Sequence, residues 1–563
     1  MAIQSLSQAA LDEAEDEGSW SPTQYFPKNL DCNILQICNN NEPYLETIFL
    51  LADERRPDLR FLRDELKRQI EERTFHNSRM AVLEFSNGTL VNAGQPTWPD
   101  GPSKLREDWT KEQNPRSRLY VLEDITAGYV EVLGTHFDLD PSFFAKHLRN
   151  TTWESSWDAA DPSPLPSSNT NTGKTATYCI WYPEMLIFPD EGTELDNHEV
   201  SYFCHTNLYR QISWVRGSKR NGWRVGTIMR KVSVAIKDLG DDVWEGLIVV
   251  DPPVGNVIFS QQRIKNMMEP VAVPIIKLYK GGFIDFRPWN QQARSATQGR
   301  PPGHLSMLDN IIHNAIDPGR DETRNMTVLS TLSFTNQVAV SRWTNLLAYL
   351  KEKISKLEWI QERTRTGGKS NWPSNGRHQL DDIETGLQEI GHWRRSTTIY
   401  HEWIETNVSD LTRFFDMIQK RKDTYIPYPG KRDWEYLLKT MDGWKNRTND
   451  DVQATFALLS LVEGQKSLDE AENARLLATL GVIYLPFSLA AGILSMNDEF
   501  AAGSKHFWTF FAVAFPLLAA SLVLAGMPRW QRTISNAWRG REDKLKDRKR
   551  KEKKNVVVGK AEV

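Results

Sequence analysis

Residues 476–497 read Leu-Leu-Ala-Thr-Leu-Gly-Val-Ile-Tyr-Leu-Pro-Phe-Ser-Leu-Ala-Ala-Gly-Ile-Leu-Ser-Met-Asn. The first 21 of them, Leu476 to Met496, carry no charge. About 20 apolar residues in a helix cross roughly 30 Å of hydrocarbon. Helices in soluble cores seldom run so far uncharged on every face, so this stretch is expected to span a membrane. A second uncharged stretch of 21 residues, Phe507 to Met527, follows after ten residues (497–506). So short a link forces a helical hairpin with both ends on one side.

Charge sets the orientation. From Arg529 onward the chain has 13 Lys/Arg against five acids, including Arg529, Arg532, Arg539, Arg541 and the run Arg548, Lys549, Arg550, Lys551. Basic flanks stay in the cytoplasm. The expected layout is an integral membrane protein with two spans, both termini cytoplasmic and the short loop outside. Residues 1–475 then lie in the cytosol, and Asn-X-Ser/Thr matches such as Asn150-Thr151-Thr152 stay unglycosylated. The first 20 residues hold five acids and no Lys or Arg, unlike a secretory or mitochondrial leader. The plasma membrane is favoured over a vacuolar one.

The rest of the chain is globular in composition. Of 563 residues, 40% are hydrophobic and 25% charged, which excludes a mostly disordered or collagen-like chain. A mean hydropathy of −0.52 excludes a chain that is membrane throughout, and a net charge of −4 argues against a nucleic-acid binder. Four cysteines, Cys32, Cys38, Cys179 and Cys204, are too few for a disulfide scaffold and lack zinc spacing.

Residues 1–25 are expected to be disordered. Residues 26–303 form a cytosolic α+β domain with a Pro/Ser-rich loop at 158–174 and a polar connector at 289–303. Asp53 to Arg73 has the pattern of one charged amphipathic helix. Arg118 starts a strand, with packed helix following. Thr177–Phe188, Val225–Lys237 and Val243–Asp251 have the β-branched and aromatic content of strands. Long helices are expected within 304–425, at Leu329–Arg363 and Asp381–Lys422. Another starts near Arg432, with Trp434, Leu437, Leu438, Met441, Val452, Phe456 and Leu459 at three- and four-residue spacing. It meets no strong breaker before Leu485 and continues into the first span as a stalk (430–496).

The end of that span carries the chemistry. Pro486, Ser488, Ala491, Gly492, Met496 and Asn497 resemble, in register, the corresponding segment of the CorA-type magnesium transporters. The short loop, the second span and the basic tail are similar too. The close match covers about 55 residues. Ser495 stands where the family has Gly, and the family's Met-Pro-Glu loop element is missing. The resemblance implies an α+β cytosolic domain, long helices and two C-terminal transmembrane helices in a funnel-shaped homopentamer. The cargo would be Mg²⁺ or another divalent cation, which also acts as regulator. No cofactor, no enzymatic activity and no nucleic-acid partner are implied.

The physical reading of these residues is direct. Mg²⁺ holds its water tightly. A ring of Asn497 side-chain carbonyls could bind the hydrated ion through that water, weakly enough to release it. One Asn cannot form a ring, so the reading requires an oligomer. Ser488, Gly492, Ser495 and Met496 would line the same path. Asp498 and Glu499 would concentrate cations at the outer mouth. The basic tail would bind anionic lipid headgroups.

Plainer roles stand beside these. Asn497 also suits a membrane edge or a helix C-cap, and Gly492 helix packing. Ser488 could bond its own helix, and Asp498 and Glu499 could form a solvated loop. The tail could be a topology determinant only. The rival to a channel is a non-conducting membrane-anchored interaction or scaffold protein. Gly173-Lys174-Thr175 and Gly368-Lys369-Ser370 lack the glycine five residues earlier that a phosphate loop needs.

Overall fold

The computed structural model describes residues 43–72, 78–86, 89–91, 96–111, 116–149, 175–189, 200–214, 223–240, 243–255, 257–262, 268–272, 277–279, 306–316, 328–365, 376–422, 430–494 and 508–523. The acidic N-terminus, the 158–174 and 289–303 segments, the outer loop and the basic tail lie outside these residues. The chain divides into two compact units, residues 1–368 with 385–453, and residues 369–384 with 454–563.

The first unit opens with α1 (Pro43–Glu54) and α2 (Arg60–Glu72), joined by a 3₁₀ turn at Pro57–Leu59. The single helix expected over Asp53–Arg73 is therefore two. Pro57 brings no N–H, and the residue before a proline is pushed out of the helical region; Arg56 sits at φ −126°, ψ 82°. Arg56 holds the corner by bonding Asp58 and Asp140. Next come β1 (Arg79–Ser86), β2 (Thr89–Leu90), α3 (Pro102–Lys111) and β3 (Ser117–Glu123). They are followed by α4 (Ala127–Phe137), α5 (Ser142–Leu148), β4 (Thr175–Pro189), β5 (Val200–Cys204) and β6 (Gln211–Trp214). Then β7 (Trp223–Gly240), β8 (Val243–Val250), β9 (Val257–Gln262), β10 (Met268–Ala272) and β11 (Lys277–Leu278) complete the sheet.

The strands form one sheet in the order β10-β9-β5-β6-β7-β8-β3-β1-β2, with β4 paired to β7 and β11. Only β3 and β8 run parallel among these pairs. The long β7 is the axis: β4 pairs along it from Thr175↔Lys237 to Pro189↔Trp223. On its other edge it pairs first with β6 and then with β8.

Side chains alternate across the sheet with period two. Leu119, Val121, Val232, Val234, Ile248 and Val250 face one core, which also contains residues of α6 (Met307–Ile316), α7 (Val328–Arg365) and α8 (Gly376–Lys422). Tyr120, Leu122, Leu247 and Val249 face another, packed with α1, α2, α4 and α5. The first unit is thus helices, sheet and helices in three layers, each apolar face covered.

The last long helix, α9, runs Lys431–Leu494. Trp434, Leu437, Met441 and Val452 join the first core, as their spacing predicts. Phe456 departs from that pattern and is exposed. The apolar helix α10 spans Trp508–Val523 within the second expected span.

Candidate pore helix

From Leu476 the side chains of α9 are mostly outward. Leu476, Leu477, Leu480, Ile483, Tyr484, Leu485, Leu489 and Ile493 are all exposed. A core helix would bury them. Each large apolar side chain left in water forgoes about 1.5–3 kcal/mol, so this surface belongs in lipid or against other helices. Pro486 sits inside the helix without breaking it. The Thr479 hydroxyl donates to the Arg475 carbonyl at 2.8 Å, and Ser521 on α10 to Leu517 at 2.7 Å. Thr398 and Thr406 on α8 fold back on their helix in the same way.

Ser488 behaves differently. It is exposed, and its hydroxyl has no hydrogen-bond partner among the described residues. A Cβ built on Gly492 meets nothing within 4 Å, and the same holds for Gly481.

Helix arithmetic gathers these positions. At about 100° per residue, Gly481, Leu485, Ser488 and Gly492 fall within a sector of roughly 60°. All four are exposed. The covered residues Val482, Pro486, Phe487, Ala490 and Leu494 lie on the other side. That covered side packs on α10: the Phe487 ring centroid lies 6.4 Å from that of Phe510 and 6.3 Å from that of Phe515. Ala490 and Ala514 are completely buried. Ser488 and Gly492 therefore share one outward face, opposite the hairpin contact. Ser495, Met496, Asn497, Asp498 and Glu499 lie outside the described residues. The packing residues Phe487, Ala490, Phe510, Ala514 and Phe515 were not singled out by the sequence reading. Their signal was the aromatic repeat in the second apolar stretch.

The carboxylates of the first unit are largely committed to cations. Arg79 bonds both Glu123 and Asp309. Arg230 and Arg342 share Glu184. Arg210 grips Asp251 at 2.7 and 3.1 Å, with His147 3.3 Å from the same carboxylate. Burial pushes the Asp251 carboxyl up, but Arg210 and His147 outweigh it and hold it below the usual range. Burial pulls the Lys231 ammonium well down. Asp124 is the exception among these acids: one oxygen accepts the Asn207 N–H at 3.1 Å, while the other is buried without a partner. Among the described residues no group of three or more His, Cys, Asp or Glu is placed to hold a metal ion.

No protein-family model matches the chain, and no curated protein matches it. Among solved structures it is similar to the CorA magnesium transporter from Methanocaldococcus jannaschii, at 10% identity and a TM-score of 0.32. That match covers 79% of this chain and 96% of the transporter. It is also similar to the full-length CmaX protein, at 11% identity and a TM-score of 0.32, over 80% of this chain and 97% of the other. Likeness at this level settles nothing about function; only the chain's own residues bear on it.

Proposed function

We propose that the chain is a CorA-like divalent-cation channel or transporter, with Mg²⁺ or a similar ion as cargo. The observation that carries this reading is the outward face of α9. There Ser488 and Gly492 sit together, both exposed, on an apolar helix, opposite the side packed on α10. In a ring of copies this face lines a path. Asn497 then forms the outer entrance ring, with Ser495 and Met496 beneath it and Asp498 and Glu499 at the mouth.

The remaining features accord with that assignment. Both spans cross the membrane, with the long ends in the cytoplasm. The oligomer is a homopentamer, funnel-shaped, and its basic tail meets anionic headgroups. Transport needs no enzymatic step. An inward-negative potential favours entry of a divalent ion by about 4.6 kcal/mol per 100 mV, twice the single-charge value. Cytosolic Mg²⁺ bound better by the closed state would shift the equilibrium toward it. The plasma membrane is the proposed location.

The test is Mg²⁺ influx into liposomes holding the purified chain and an entrapped dye, beside Asn497→Ala. Flux lost in the variant supports a pore with Asn497 at its entrance. Ser495, where the family has Gly, favours a second reading, a non-conducting membrane-anchored interaction protein. A folded oligomer that passes no ion at any internal Mg²⁺ or voltage would leave that reading standing. Flux gained in Ser495→Gly would instead mark a pore impaired at that residue.

A further inference from the structure

We propose that Phe487 is the positioning residue that fixes the rotation of the first span, and so decides which of its faces meets the ion path. The inference rests on the pore reading, because only a pore makes the rotation matter.

The hairpin contact is asymmetric in kind. Ala490 and Ala514 are fully buried, but methyl groups do little to fix an angle about the axis. Phe487 does more. Its ring meets Phe510 at 34° between planes and Phe515 at 80°, so it is held by one tilted and one edge-on partner. Phe510 and Phe515 are braced through Phe511, whose centroid is 5.2 Å from the first and 6.0 Å from the second. Two aromatic contacts favour one register over others by roughly tenfold or more. Phe487 is the aromatic side chain that α9 contributes to this cluster. Pro486 beside it is buried. It leaves the carbonyl one turn earlier without its usual donor, which loosens the backbone where the ring must hold it.

The chemistry at stake is sharp. Turning the helix by one residue, about 100°, replaces Ser488 and Gly492 with Leu489 and Ile493. A path lined by Leu485, Ser488 and Gly492 would then present Pro486, Leu489 and Ile493, with neither hydroxyl nor glycine. Hydrated cations do not cross such a surface readily.

The test uses the full chain in lipid nanodiscs with Ser488→Cys, Leu489→Cys, Gly492→Cys or Ile493→Cys, one at a time. A charged thiol reagent is applied and the label is read by mass at the introduced site. Faster labelling at 488 and 492 than at 489 and 493 is expected. In Phe487→Ala, and independently in Phe515→Ala, that preference falls toward parity while the oligomer persists. Phe487→Trp restores it. A preference that survives both alanine variants overturns the positioning role and leaves the pore untouched. Equal labelling of all four sites in the parent chain overturns the pore reading, and the positioning role with it.

Discussion

The side-chain amide of Asn407 bonds both polar groups of the Trp181 peptide, accepting its N–H at 2.8 Å and donating to its carbonyl at 2.7 Å. Trp181 lies on β4, whose far edge, among the described residues, pairs with β11 only at Leu186 and Ile187. Asn407 thus takes the place of a neighbouring strand, and helix α8 closes an edge that would otherwise invite pairing. The Trp343 indole N–H from α7 reaches the same carbonyl at 2.8 Å. The Trp181 ring stacks on Trp403 at 5.7 Å, and the Lys231 ammonium lies 3.7 Å from its centroid. One strand residue therefore ties the sheet to two long helices. Asn407→Ala orphans the buried Trp181 N–H and should cost about 1–3 kcal/mol. Urea denaturation of the purified protein checks this. Asn407→Asp keeps the acceptor, loses the donor and sets a carboxylate against a carbonyl, so it should not rescue.

Asp124 gives a pH prediction. Burial holds its carboxyl well above the usual range, with Glu123 and Asp251 adding to the effect and the Asn207 N–H opposing it. The folded state then prefers the protonated acid. Its contribution to stability is complete below the ordinary carboxylate pKa and is lost as pH rises through the elevated folded value. Asp124 also has φ +63°, a conformation Asn tolerates. Asp124→Asn should stabilise the protein at neutral pH and flatten this part of its pH dependence. Melting temperatures from pH 4 to 8, compared with the parent, decide it; a variant less stable at pH 7 would show that the carboxylate is needed.

Gly134 is needed for space rather than for φ. A Cβ there would run into the Tyr44 ring, whose hydroxyl donates to the Leu139 carbonyl at 2.8 Å. The ring cannot withdraw without breaking that bond. Gly134→Ala should destabilise the first unit by about 1–3 kcal/mol, by overpacking. The denaturation midpoint measures it, and Tyr44→Leu in the same chain should recover part of the loss.

The sequence was most legible where a period repeats over many residues. The helices around Leu346 and Leu411, and the β-branched run of β7, fall close to where their patterns place them. Strand β1 was harder to read. Arg79–Ser86 is buried on both faces along most of its length, so it shows no alternation that sets it apart from a short buried helix. The corner at Pro57 was visible as a proline, yet the charge pattern running through it suggested continuity. The Asn407 clasp joins residues 226 apart, and an asparagine inside a helix carries no local sign of its partner. At the candidate site the motif marked Ser488 and Gly492. Their common outward face became visible only through Phe487, Phe510 and Phe515, since hydropathy is uniform around the helix.

Two substitutions on opposite faces of α9 should separate pore from anchor. Ala490 on α9 and Ala514 on α10 are both fully buried, on the side of α9 that carries Phe487. Ala490→Leu should therefore overpack the hairpin and cost about 1–3 kcal/mol. Ser488 faces outward, and its hydroxyl is bonded to nothing described. Ser488→Leu adds apolar area to an already exposed apolar helix, so stability should change by no more than about 0.5 kcal/mol. In a channel the same change lines the path with hydrocarbon. A barrier raised by about 1.4 kcal/mol cuts flux tenfold, and a ring of copies multiplies the insertion. The expected result is a Ser488→Leu protein with an unchanged melting temperature and at least about a tenfold loss of Mg²⁺ flux. Flux equal to the parent's would place Ser488 on a lipid-facing surface and remove it from the path. Loss of stability without loss of flux per folded oligomer would place it in a packing contact between copies.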